Sequence, residues 1–189
     1  SRTEYYPDVL WGQIVAEVSD GRANKVCRKA KEIYIKFPSY SKIIDWGIQL
    51  NQNSVNGKKL NCIVTFAEQK LRLQRLSWSG LADKALEEIS SLQKKAMTSQ
   101  QFEVDELMVN YLLQEGYVDQ AQKTLAKYSE SRKGDYDYLM LLGKTYSRST
   151  EPLKGVEYYY QASKATNKTS LASAALFQSG FLSYFVQDY

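Results

Sequence analysis

Few residues in this chain of 189 could carry chemistry, and the missing types decide as much as the present ones. There is no histidine. That removes Ser-His-Asp and Cys-His relays, an imidazole general base and His-ligated zinc. Cys27 and Cys62 are the two cysteines, too few for a four-thiolate zinc site and 35 positions apart, so no C-x-x-C redox pair exists. Their simplest reading is two buried, small apolar side chains. Glu87-Glu88 and Asp135/Asp137 place acids close together. Such pairs are common on helix surfaces and near helix N-termini, where they favour the dipole. No Walker loop, no G-x-G-x-x-G and no D-x-D-x-D-G loop is present. The expectation is a chain without catalytic residues, metal ligands or a cofactor. Asn167-Lys168-Thr169 has the form of a glycosylation acceptor, a triplet that arises often by chance and has meaning only on a secretory route.

The remaining chemistry is contact chemistry. Eleven of the fifteen tyrosines follow residue 110, whereas all three tryptophans precede residue 80. Tyr158-Tyr159-Tyr160 are consecutive, and on a helix three such residues span about 200° of arc. At least one must leave the core, and tyrosine gives binding area at low entropic cost. Arg22, Lys25, Arg28, Lys29 and Lys36 form a basic stripe that could meet phosphate. Glu17, Asp20 and Glu32 lie nearby, no aromatic-glycine RNA-binding signature accompanies the stripe, and a solvated helix face is the default. The net charge of +4 is uneven: residues 1–100 carry 16 basic and 10 acidic side chains, and residues 101–189 carry 9 and 11. That is compatible with an anionic partner for the first half without requiring one.

These residues need elements to position them. Apolar residues recur at three-and-four spacing almost everywhere, and three prolines and ten glycines are low counts. Ala23, Val26, Ala30, Ile33 and Phe37 make one apolar stripe, stopped by Pro38. The spacing predicts about ten helices, near 7–19, 22–37, 40–52, 58–76, 81–96, 100–114, 118–131, 135–148, 152–165 and 170–187. Short turns between them make sequential helices antiparallel neighbours. No apolar run near 18 residues exists, so no membrane span is expected.

The helices also repeat. A shift of 34 aligns Met108 with Leu142, Val109 with Gly143, Leu112 with Tyr146, Ala121 with Gly155, Leu125 with Tyr159 and Tyr128 with Ala162. On Leu142, Gly143, Tyr146, Gly155, Tyr159 and Ala162 the chain resembles the tetratricopeptide repeat family. The unit at 102–135 departs from the pattern, with Val109 and Tyr128 where small residues are usual. A further unit at 173–189, with Gly180 as its small residue, runs off at Tyr189. That and the missing initiator Met suggest a processed or excised piece. Upstream, Gly80, Ala85, Ile89 and Leu92 fit a turn and second helix. Trp11-Gly12 and Trp46-Gly47, with Ala30, Tyr34 and Pro38, are similar to half-a-tetratricopeptide repeats, found in RNA-processing scaffolds.

The resemblance implies an all-α, right-handed solenoid of antiparallel helix pairs. Residues 1–100 would be degenerate repeats, and 101–189 three units (102–135, 136–172 and a truncated 173–189) of one continuous solenoid. First helices line the concave face in this family, which places Glu106, Asn110, Met140, Lys144 and Arg148 in the groove, with Tyr158 and Tyr160 as anchors. Glu106 and Met140 stand where carboxylate-gripping relatives carry basic residues or asparagine, which argues against a chaperone-tail clamp. The implied function is a non-catalytic scaffold binding a partner peptide or helix; the compartment is left open, with cytoplasm or nucleus favoured over a secretory route. The alternatives are an RNA-associated scaffold using the basic face near 22–36, or the helical-repeat region of a larger enzyme.

Overall fold

Residues 5–22, 26–44, 54–60 and 62–187 are described by a computed structural model. They are mostly helical and divide into two units, 1–99 and 100–189. Trp46, Gly47, Ala23, Lys25 and Tyr189, and most of the helix expected at 40–52, lie outside the described residues.

The first unit holds α1 (Tyr6–Ser19), α2 (Cys27–Lys36), β1 (Ser54–Val55), β2 (Lys58–Lys59), α3 (Phe66–Trp78) and α4 (Ala82–Lys95). Each helix packs on its neighbour in sequence, and β1 packs on α1. Leu10, Ile14 and Val18 of α1 meet Ala30, Ile33 and Tyr34 of α2 in a buried core, which Val55, Leu60 and Cys62 close from the non-helical segment. The hairpin corrects the expected helix at 58–76. Asn56 and Gly57 both take positive φ, at 49° and 74°, which matches the mirror-image turns that suit two-residue hairpins. Ser54 pairs with Lys59 and Val55 with Lys58. The helix starts only at Phe66, behind a capping box. Thr65 Oγ1 accepts from Glu68 N–H at 3.3 Å, and Thr65 N–H donates to Glu68 Oε2 at 2.8 Å.

The second unit holds α5 (Gln101–Gln114), α6 (Val118–Ala126), α7 (Tyr136–Tyr146), α8 (Pro152–Lys164) and α9 (Thr169–Gln187), again with sequential helices in contact. α5 ends in a Schellman motif. Gly116 sits at φ 82° while Tyr117 N–H reaches back to Leu112 O at 2.7 Å. Asp135 caps α7, accepting from Tyr138 N–H at 3.0 Å, and pairs with Arg132 at 3.1 Å. The acid pair Asp135/Asp137 is thereby split, one acid a cap and the other an exposed side chain. α9 carries no charged residue and exposes Phe177, Phe181, Tyr184 and Phe185. Among the described residues no helix is long and apolar enough to cross a membrane.

The two repeat glycines differ from the third. A Cβ on Gly143 would lie 2.6 Å from the Tyr159 ring, and one on Gly155 would lie 2.9 Å from Leu182 Cδ2 and from Ser147 N. Both are close-approach points between helices, with Ala162 fully buried beside them. Gly180 has open space around its Cα instead. Tyr128, standing where the repeat pattern has a small residue, donates its hydroxyl to Asp105 on α5 and packs edge-on against Phe102.

Candidate functional site

The five residues expected along a groove come from two helices. Glu106 and Asn110 lie one turn apart on α5; Met140, Lys144 and Arg148 follow the same spacing along and just past α7. All five line one open cavity of about 520 Å³, together with Asp137, Leu141, Ser147, Tyr159 and Gln178. The site therefore draws side chains from α5, α7, α8 and α9.

Its polar wall is internally braced. Lys144 Nζ donates to Asn110 Oδ1, and Asn110 Nδ2 donates to Glu106 O at 2.9 Å. Arg148 donates to Leu113 O at 2.6 Å. These bonds fix the side chains without a ligand, which lowers the ordering cost of binding. Burial pushes the Lys144 ammonium below its usual pKa, and the Arg148 guanidinium pushes it the same way, against the pull of Glu106. Tyr159 is shifted up by burial, its ring forming a wall against Gly143. Two cations, Lys144 and Arg148, thus face two acids, Glu106 and Asp137, with Met140 and Leu141 as the apolar part. Ser147 donates its hydroxyl to the Lys144 carbonyl at 2.8 Å. Among the described residues no group of three Cys, Asp or Glu side chains could hold a metal ion.

The two tyrosine anchors lie elsewhere. Tyr158 is half-buried against Leu139, Ala162 and Ala175, with its ring 5.3 Å from that of Tyr146. Tyr160 is exposed, with Lys164 Nζ 5.1 Å from its ring. Neither lines the cavity; the middle tyrosine of the triplet, Tyr159, does.

Among the described residues of the basic stripe, three cations are neutralised by ion pairs. Arg22 pairs with Asp20 at 2.7 Å, Lys29 with Glu17 at 2.6 Å and Lys36 with Glu32 at 2.8 Å. Lys31, outside the stripe, pairs with Glu68 at 2.9 Å.

Two features of the first unit are absent from the sequence reading. Cys27 and Cys62 form a disulfide, with Cα atoms 5.1 Å apart, rather than two separate apolar side chains. It joins the start of α2 to the segment leading into α3. Glu88, read above as half of a surface acid pair, is buried. It accepts from Arg72 Nε at 2.9 Å and from the terminal guanidinium nitrogen at 2.8 Å. Arg72 also donates to Tyr34 O at 2.7 Å and lies 3.9 Å from the centre of the Tyr34 ring. The signal available was Arg72 on the apolar stripe of α3, beside Leu73 and Leu76, where an arginine requires a partner.

A comparison with known protein families, with curated proteins and with solved structures found no match to this chain.

Proposed function

We propose that residues 100–189 are a tetratricopeptide-like binding module and that the chain is a right-handed solenoid of antiparallel helix pairs acting as a non-catalytic scaffold. Its ligand is an extended or helical peptide segment laid across α5 and α7. The observation that carries this reading is the convergence of Glu106, Asn110, Met140, Lys144 and Arg148 on one cavity. The tetratricopeptide pattern places those same positions along the concave face. Close approach at Gly143 and Gly155 and the burial of Ala121, Leu125, Tyr159 and Ala162 also support the repeat reading. So does the exposed aromatic face of α9, since a repeat unit buries its apolar face only against a neighbour.

Opposed charges flanking Met140 suit a peptide with an apolar side chain between an acidic and a basic one. Peptides of that pattern should emerge when a displayed random-peptide library is panned on the intact chain. Lys144→Glu should weaken the selected peptides by about tenfold or more, the scale of a hot-spot loss. Gln178→Glu, at an exposed position on the rim, should shift affinity while leaving the melting temperature unchanged. Selected peptides indifferent to both changes would remove the cavity from the function. The ion pairs along Arg22, Lys29 and Lys36 give the RNA-associated reading little support. Its own mark would be affinity falling steeply with salt.

A further inference from the structure

Two observations from separate units bear on one question. The first is the Cys27–Cys62 disulfide. Thiols of cytosolic and nuclear proteins are kept reduced by glutathione and thioredoxin, whereas disulfides persist in secretory lumens and outside the cell. This bond joins half-buried Cys27 to buried Cys62 and closes the core of the first unit, so it serves structure rather than exchange. It points away from the cytoplasm and nucleus. The second is the acceptor triplet Asn167-Lys168-Thr169. It lies at the junction between the end of α8 at Lys164 and the start of α9 at Thr169. Asn167, Lys168 and Thr169 are all exposed, and the Asn167 carboxamide takes part in no described hydrogen bond. Within the loop, Lys168 N–H donates to the Thr166 side-chain Oγ1 at 3.2 Å.

A sequon buried in a helix interface could not carry a sugar after folding. A sequon in a reducing compartment would never meet the transferase. This one is exposed, in a chain whose two cysteines are paired. We propose that Asn167 is an N-glycosylation site, modified as the chain enters an oxidising lumen where Cys27 and Cys62 also pair.

The co-reactant is an oligosaccharide carried on a polyprenyl diphosphate. Asn167 Nδ2 attacks C1 of the first sugar, and the Nδ2–C1 bond forms as the bond from C1 to the diphosphate oxygen breaks. The diphosphate leaves with that bond's electron pair, and Nδ2 releases one proton. No oxidant or reductant takes part. The Thr169 hydroxyl is the required second element of the triplet, which only serine can replace. A glycan here would stand on a surface loop, the setting in which N-linked sugars are tolerated.

The test uses the chain purified unreduced from its own cells. Peptide N-glycosidase should remove a discrete mass and leave aspartate at position 167, in a molecule whose Cys27 and Cys62 peptides are linked until reduced. Asn167→Gln and Thr169→Ala should each abolish that mass, and Thr169→Ser should keep it. Asn167→Gln should melt with the parent freed of its glycan, since the side chain holds nothing in place. An unmodified Asn167 in a chain with an intact Cys27–Cys62 bridge would overturn the proposal. So would finding both cysteines as free thiols.

Discussion

At Arg72 and Glu88 a full ionic contact is taken out of water, and the two side chains are 0% and 4% exposed. Removing one partner leaves the other buried and unpaired, which costs about 3–5 kcal/mol in comparable cases, while replacing both with apolar groups is often neutral. Glu88→Gln should therefore lower the urea midpoint of the first unit sharply. Arg72→Met with Glu88→Leu together should recover most of that loss. Equal damage from the single and double variants would mean that packing around Tyr34, not the ion pair, holds this point. Gly143 is the second unit's counterpart. Its Cα approaches the Tyr159 ring so closely that a methyl group would sit 2.6 Å from it. Gly143→Ala should cost about 1–3 kcal/mol, the usual penalty of overpacking, read from denaturant unfolding followed by circular dichroism. Sequence spacing marked Gly143 as small, but only its distance to Tyr159 explains why even alanine is too large.

At the scale of elements, the start of α3 shows how a local signal was legible and yet outweighed. Thr65-Phe66-Ala67-Glu68 has the capping-box spacing, but the apolar periodicity running back to residue 58 suggested a longer helix. Asn56-Gly57 favoured a hairpin there, and the hairpin prevailed because its turn satisfies the backbone at once. Glu68 joins the cap to α2 through Lys31. Burial pushes its carboxyl up, but the Thr65 N–H, the Lys31 ammonium and the Thr65 hydroxyl together hold it below 4.5. A depressed carboxyl pKa contributes stability above its unfolded value and loses it as pH falls through the folded one. The contribution of Glu68 should thus fade in the window below pH 4.5. Melting temperatures measured against pH should fall less steeply there in Glu68→Gln than in the parent. Parallel acid limbs would place the acid sensitivity elsewhere.

Across the whole molecule, the disulfide lies in the first unit and the cavity in the second. All three tryptophans precede residue 80, so tryptophan fluorescence reports the first unit alone. Closing a 35-residue separation removes chain entropy worth about 4 kcal/mol from the unfolded state. Reduction should shift the tryptophan-detected unfolding midpoint of the first unit well down. An unmoved tryptophan transition would show that the core of Leu10, Ile14, Ile33 and Tyr34 suffices without the bond.

The sequence by itself determined the helices of the second unit to within about two residues, except that α6 ends at Ala126 rather than near 131, and it determined which faces are apolar. Helical periodicity is written in neighbours three and four apart, and capping in neighbours three apart. A 34-residue shift also aligns Glu106 with Met140 and Asn110 with Lys144, positions that line one cavity. The tertiary structure alone decided the pairing of Cys27 with Cys62, the burial of Glu88 against Arg72, and the replacement of Tyr158 and Tyr160 by Tyr159 at the cavity. Each of these depends on where the chain returns after 35 or 16 residues, or on which third of a helix's circumference meets its neighbour. Composition and local spacing do not encode that path. The packing of apolar stripes against one another sets it, and the polar partners are then whatever the packing brings within reach.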